Sequence, residues 1–378
     1  MRTAVLTTVL FSTLGAAALP SATAGKRRYA SSAVRKTSAG KKESPAKYVV
    51  TMVPSIADVP SLKQVLSYPW VHEIRFNLSH GNEQIWEKWL TLLHEAERQV
   101  GRKIKVVFDF PGRKNRIGEG AADLRAGATV EIHYGSKRVP ITRDGFWVDF
   151  PDLHQYALPG KHVYLSDRAL ALEVLATDPN QRKIVARVVQ GGHLESRAGF
   201  AVEDGEPTYP SEPGPDDLSR MSFLKRVQPD YVVHSMGQNA DQVLAFAERA
   251  LRETGQRIKV LFKVESQRAV NNIEDILSRL KGKISGVVIG RGDMTQEFGQ
   301  VVARKLQKRI AAACKKLGIP ITIATGFFSK NIGYANEARD VTQAIKRDQA
   351  WFLQDSLTDD VLHHLQTLDR QLVWQSLH

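Results

Sequence analysis

Lys263 lies inside the apolar stretch VLFKVES, residues 260–266, and Glu265 follows two positions later. Residues two apart in a strand share a face, so the ammonium and the carboxylate point the same way. A lysine in a partly dry site loses its charge unless an anion balances it; a phosphoryl group or an enolate is such an anion. Asp293, in GRGDMTQEFG (290–299), supplies a second carboxylate. Two hard oxygen ligands, with the other positions left to water and substrate, suit Mg2+, with Mn2+ as its substitute, although ion pairing with Lys or Arg is the commoner fate of paired carboxylates. Arg75 adds a second positive clamp. This is equipment for phosphoryl transfer, where positioning and charge neutralisation do most of the catalysis. There is no G-x-x-x-x-G-K-[ST] loop and no H-R-D or D-F-G set, so a nucleotide must be held another way.

The elements that must position these groups read as alternating strands and helices. Strands are expected at 47–53, 73–77, 105–110, 230–235, 259–265, 286–292, 320–325 and 350–355, as near-continuous apolar runs of the kind buried on both faces. Amphipathic helices are expected at 82–100, 239–254, 268–281, 300–317 and 359–376. Eight strands with crossover helices give an α/β fold, a (β/α)8 TIM barrel. About 120 residues separate the third strand from the fourth, and short strands within them indicate a small all-β domain inserted after barrel strand 3. The expected organisation is an extension over 1–46, the barrel over 47–112 and 219–378, and the insert over 113–218. Function in such barrels gathers at the C-terminal strand ends. Those ends carry Arg75, Asn77, Asp109, Ser235, Lys263, Glu265, Asp293 and Thr325.

Composition narrows the class. The chain is 42% hydrophobic and 25% charged, as globular proteins are. Of its net charge of +13, residues 1–47 contribute nine Lys/Arg against one acid, leaving only +5 for the rest. Nucleic-acid binding by the folded part is therefore not expected. The single cysteine, Cys314 in the apolar IAAAC segment, excludes an intramolecular disulfide and reads as core. The first 46 residues read as a signal peptide, a transit peptide, or a disordered extension or upstream start, and their Pro20 and small residues argue against a membrane span. The cytoplasm is the expected compartment, with an organelle matrix as the alternative.

The motifs together resemble the pyruvate kinase family. TMVPS (51–55) is similar to its T-x-G-P segment, with Val53 for the glycine, and RFNLSHG (75–81) matches R-x-N-x-S-H-G. VFDFPGRKNRIG (107–118) resembles D-T-K-G-P-E-I-R-x-G, FKVES (262–266) matches K-[IV]-E, GRGDMTQEFG resembles A-R-G-D-L-G-x-E, and IAT (323–325) matches an A-T pair. The resemblance implies transfer of a phosphoryl group from phosphoenolpyruvate to ADP, giving pyruvate and ATP, with Mg2+ held by Glu265 and Asp293. It implies Lys263 at the transferring phosphoryl group and enolate oxygen, Arg75 on the phosphate, and Thr325 beside the protonated carbon. The substrate would also meet Ser235 and the backbone at Arg291, Gly292 and Asp293. Asn77, Ser79, Asp109 and Phe110 match a monovalent-cation site, and Thr51, Pro54, Asn77, His80 and Arg116 the nucleotide-facing positions.

Departures qualify this. Phe110 replaces a threonine, and Lys114 stands where the family often has glutamate, so its ammonium can stand in for K+ and no K+ requirement is expected. Gln238 takes an arginine's place and Ala198 a lysine's, while GFFSKN (326–331) and LQDSLTD (353–359) replace other family segments. No counterpart of the family's C-terminal regulatory domain follows the eighth helix, so allosteric control is not expected and the oligomer stays open between monomer and dimer. Three readings stand: a phosphotransferase of this type or a kinase on another enol acid; a C–C lyase on a related barrel; and a non-catalytic relative.

Overall fold

The computed structural model describes residues 47–136, 138–255, 258–324, 351–353, 361–363 and 365–366. Thr325, the GFFSKN segment, residues 354–359 and most of the expected last helix lie outside them, as does the N-terminal extension. Eight parallel strands form one curled sheet: β1 (Lys47–Thr51), β2 (Val71–Asn77), β3 (Lys105–Asp109), β12 (Tyr231–His234), β13 (Lys259–Val264), β14 (Gly286–Gly290), β15 (Ile321–Ala324) and β16 (Trp351–Leu353). Each pairs with the next, and β16 pairs with β1 through Lys47 and Trp351, so the ring of strands closes.

Helices α1 (Val59–Ser67), α2 (Glu83–Val100), α5 (Ala240–Thr254), α6 (Gln267–Asn271), α7 (Ile273–Leu280), α8 (Arg291–Phe298) and α9 (Gln300–Leu317) connect these strands. Two short helices, α3 (Pro215–Met221) and α4 (Leu224–Val227), precede β12. The sequence carries their punctuation. Asn82 and Asn239 accept the first free N–H groups of α2 and α5, and Gly101 and Gly255 end them in left-handed backbone. The single helix expected over 268–281 is two, parted at Asn272, whose φ of −110° and ψ of 23° leave the helical region while its backbone and side-chain N–H groups both donate to the Arg268 carbonyl. Cys314 is buried in the apolar layer between strands and helices. Among the described residues no helix is long and apolar enough to cross a membrane.

Between β3 and α3 the chain builds two antiparallel-dominated sheets. The strands are β4 (Ala121–Leu124), β5 (Thr129–Tyr134), β6 (Gly145–Val148), β7 (His162–Leu165), β8 (Leu170–Asp178), β9 (Lys183–Gln190), β10 (Gly192–Glu195) and β11 (Phe200–Val202). β10 pairs with β4, and the other six run in the order β11-β7-β8-β9-β5-β6 around their own apolar cluster.

Inside the ring the side-chain alternation places the chemistry. Val49, Val107, Val233 and Val288 form an apolar layer with Leu261 packed against it. Two residues on, each strand turns inward again. Those positions are Thr51, Asp109, Ser235, Gly290 and Lys263, and Arg75 and Asn77 on β2 stand opposite Thr51 and Asp109 in the register. A hydrophobic plug thus floors a polar mouth.

Candidate functional site

Asp109 is the hub of that mouth. It is 1% exposed. Its Oδ2 accepts from Arg75 Nε at 2.8 Å and Nη2 at 2.7 Å, and its Oδ1 from Ser235 Oγ at 2.9 Å. Lys263 Nζ donates to both oxygens, at 3.1 Å each. Burial opposes ionisation of Asp109, but Lys263 and then Arg75 overcome it and hold the carboxyl below the usual range. Lys263 in turn is held charged: burial works against its ammonium, and Asp109 and Glu265 outweigh that. Glu265 Oε1 lies 3.4 Å from the amine.

Glu265 and Asp293 form a hydrogen-bonded carboxyl pair. Burial and then the charge of Asp293, against the pull of Lys263, push Glu265 up, so it carries the proton. Asp293 is held ionised: burial opposes it, but Lys114, hydrogen-bonded to its Oδ1, and Glu265 outweigh burial. The other Glu265 oxygen accepts the Met236 backbone N–H at 3.0 Å. Gly290 makes room for this carboxyl, since a Cβ there would lie 2.4 Å from Glu265 Cγ. Two acids forced together and neutralised by a proton and an ammonium fit a divalent cation, which would supply both charges at once. Among the described residues no group of three or more His, Cys, Asp or Glu could hold a metal, so these two would share the ion with water and substrate.

The remaining expected residues are placed as follows. Thr51 is fully buried and its hydroxyl accepts from Arg75 Nη1 at 3.1 Å. Asn77 Oδ1 accepts the Ser79 backbone N–H at 3.1 Å, next to the Asp109 hub. The Phe110 ring packs edge-on against Phe246 in the core, leaving its backbone at the mouth. Pro54, exposed, opens a single turn after β1 that is anchored by buried Ile56. Ser79, His80, Lys114 and Arg116 line a cleft of about 730 Å³ that reaches to Trp147 on β6 and Arg197 in the turn after β10. Partial desolvation and then Arg116, Arg75, Lys114 and Arg197 lower the His80 pKa, which favours its neutral form. Gly292 lies in the first turn of α8, beside Asp293.

Some roles are not legible in the sequence. The resemblance offers Asp109 to a monovalent ion, and in the structure it also binds both Arg75 and Lys263. Lys114 was offered as a stand-in for that ion, and its ammonium lies on Asp293. The sequence gives His234 no role. It is buried against Phe246, neither ring nitrogen has a partner, and burial followed by Lys263 pushes its pKa down to about 3, so it adds no charge to the mouth. The period-2 alternation was the signal that pairs Asp109 with Lys263 and Ser235 inward and sends His234 outward.

With this geometry in view, the chain was compared with known proteins. Residues 44–347 match the family model described as pyruvate kinase, barrel domain. Proteins called pyruvate kinase are similar over most of the chain. That of Geobacillus stearothermophilus is 27% identical over 74% of this chain and 47% of its own length. That of Leishmania mexicana is 25% identical over 74% and 55%, and that of Aeropyrum pernix 27% over 80% and 64%. The chain thus spans about half to two thirds of the length of these relatives. With the family model covering most of its residues, the chain belongs to the pyruvate kinase family.

Proposed function

We propose that the protein transfers a phosphoryl group between an enol phosphate and a nucleoside diphosphate, phosphoenolpyruvate and ADP being the pair its relatives' name implies. The single observation that carries this is the Lys263 amine, 3.1 Å from both oxygens of Asp109 and 3.4 Å from Glu265. A buried ammonium beside a carboxylate pair is what a migrating PO3 group needs and what a lyase has no use for. The fold that goes with this reading is a complete (β/α)8 barrel carrying an all-β unit after its third strand.

In this reading Lys263 neutralises charge on the phosphoryl group and then on the enolate oxygen as the bond to the leaving oxygen breaks. Asp109 keeps the amine protonated and aimed, and holds Arg75 where it can grip the phosphate. The N–H groups opening α8, at Arg291, Gly292 and Asp293, receive the substrate carboxylate at a helix start. Ser235 fixes the orientation of Asp109. His80 and Arg116, on the wall of the cleft, would face the nucleotide, and Thr51, Pro54 and Asn77 would complete its site. Thr325 would place the proton donor for the enolate carbon. Glu265 and Asp293 would hold Mg2+ or Mn2+, which supplies charge for the phosphoryl oxygens.

Lys114 brings a fixed positive charge to the same mouth, so no monovalent ion is required. KCl added to an active preparation should leave the rate within about twofold; a tenfold rise would contradict this. Pyruvate formation from phosphoenolpyruvate, ADP and Mg2+, followed by a coupled enzyme, tests the function itself. Turnover is expected, and its absence with every nucleoside diphosphate sinks the proposal.

A further inference from the structure

The inserted sheet meets the barrel at α8, the helix that carries Asp293. Of its eight residues only Met294 and Gln296 are buried, with Phe298 half-buried against the core, and a helix this short is marginal by itself. Its last carbonyls need donors. Gly299 N–H serves Thr295 at 2.8 Å. The next two are served from 128 and 129 residues away: Arg168 Nε donates to the Gln296 carbonyl at 2.8 Å and Nη2 to the Glu297 carbonyl at 2.6 Å. A cation at this end also opposes the negative pole of the helix.

The contact is reciprocal. The Arg168 backbone N–H donates to Gln296 Oε1 at 3.1 Å, and Gln296 Nε2 donates to the Tyr164 carbonyl at 3.1 Å. The guanidinium lies 3.7 Å from the centre of the Tyr164 ring. Arg168 sits in the turn between β7 and β8, where Ser166, Asp167 and Arg168 have φ of +50°, +55° and +66°. Three successive left-handed residues with side chains are disfavoured and persist only where surrounding contacts hold them.

We propose that Arg168 is a positioning residue that latches the inserted sheet onto α8. It thereby sets where Asp293 and the α8 N-terminal amides stand when the cleft is closed. The proposal deepens the phosphotransfer reading and rests on it for the identity of the ligand, though the latch itself does not. It differs from simple docking of one unit on another, because the bonds complete the helix that carries site groups.

Arg168→Gly is the informative variant, since glycine accepts the left-handed backbone while the guanidinium is lost. Its melting temperature should stay within a few degrees of the parent. Backbone hydrogen exchange over 291–299 should quicken at least tenfold, and KM for phosphoenolpyruvate should rise about tenfold with kcat little changed. Arg168→Lys, which keeps one donor head, should recover part of both effects. Unchanged exchange over α8 overturns the latch. Faster exchange with unchanged KM in an active protein reduces Arg168 to a docking contact and overturns the positioning role. A parent protein without turnover defeats the function proposed above, and the exchange measurement then still decides the latch.

Discussion

Lys263→Met is expected to lower phosphoryl transfer about a thousandfold or more, the scale on which single preorganised charge-stabilising groups act, while the protein stays folded. Methionine keeps the unbranched stem that passes the apolar wall of β13 and deletes only the charge. Asp109 would retain Arg75 and Ser235, and Glu265 would retain the Met236 N–H. Glu265 already lies high in its titration, so losing the ammonium drives it further toward the neutral form and does not strand a charge. Turnover and thermal melts on the same preparation check both halves. More than a tenth of parental activity would show that the amine does not meet the reacting group.

Asp109→Asn should produce the largest loss of stability. It removes the carboxylate that the buried Arg75 and Lys263 share, with Glu265 left 3.4 Å from the amine, and breaking a buried pair this way costs about 3–5 kcal/mol. The effect has a definite pH sign. The folded pKa of Asp109 lies below its ordinary value of about 4. Its ionised form therefore contributes stability fully above pH about 5, and the contribution disappears as pH falls through the depressed folded value. Urea denaturation should show the gap between parent and Asp109→Asn widest near neutrality and closing in acid. A gap that stays constant to pH 3 would mean that the carboxylate is not what binds the two cations together.

Much of the fold was legible because parallel strands buried on both faces announce themselves as apolar runs. The eight barrel strands lie within two residues of their expected positions at nearly every end, and α9 spans 300–317 as expected. The site was legible for the same reason, since polar residues closing apolar runs point at one mouth. Short elements were not. β4, β6 and β11 hold three or four residues each, too few for periodicity to show. Asn272 was invisible as a break because the apolar spacing of 268–281 continues across it; only its backbone angles part the two helices. The hub role of Asp109 was hidden behind a motif match that offered it an ion. Arg168 gave no signal at all, because a donor that completes a helix 128 residues away leaves no local pattern in the sequence.

The claim on which the account turns is that Glu265 and Asp293 form a cation site facing the Lys263 amine. Titration of Mn2+ into the full chain, read by electron paramagnetic resonance, tests it without requiring turnover. One ion per chain is predicted, with affinity reduced at least tenfold in both Glu265→Gln and Asp293→Asn. Binding of equal strength in the parent and both variants would contradict it.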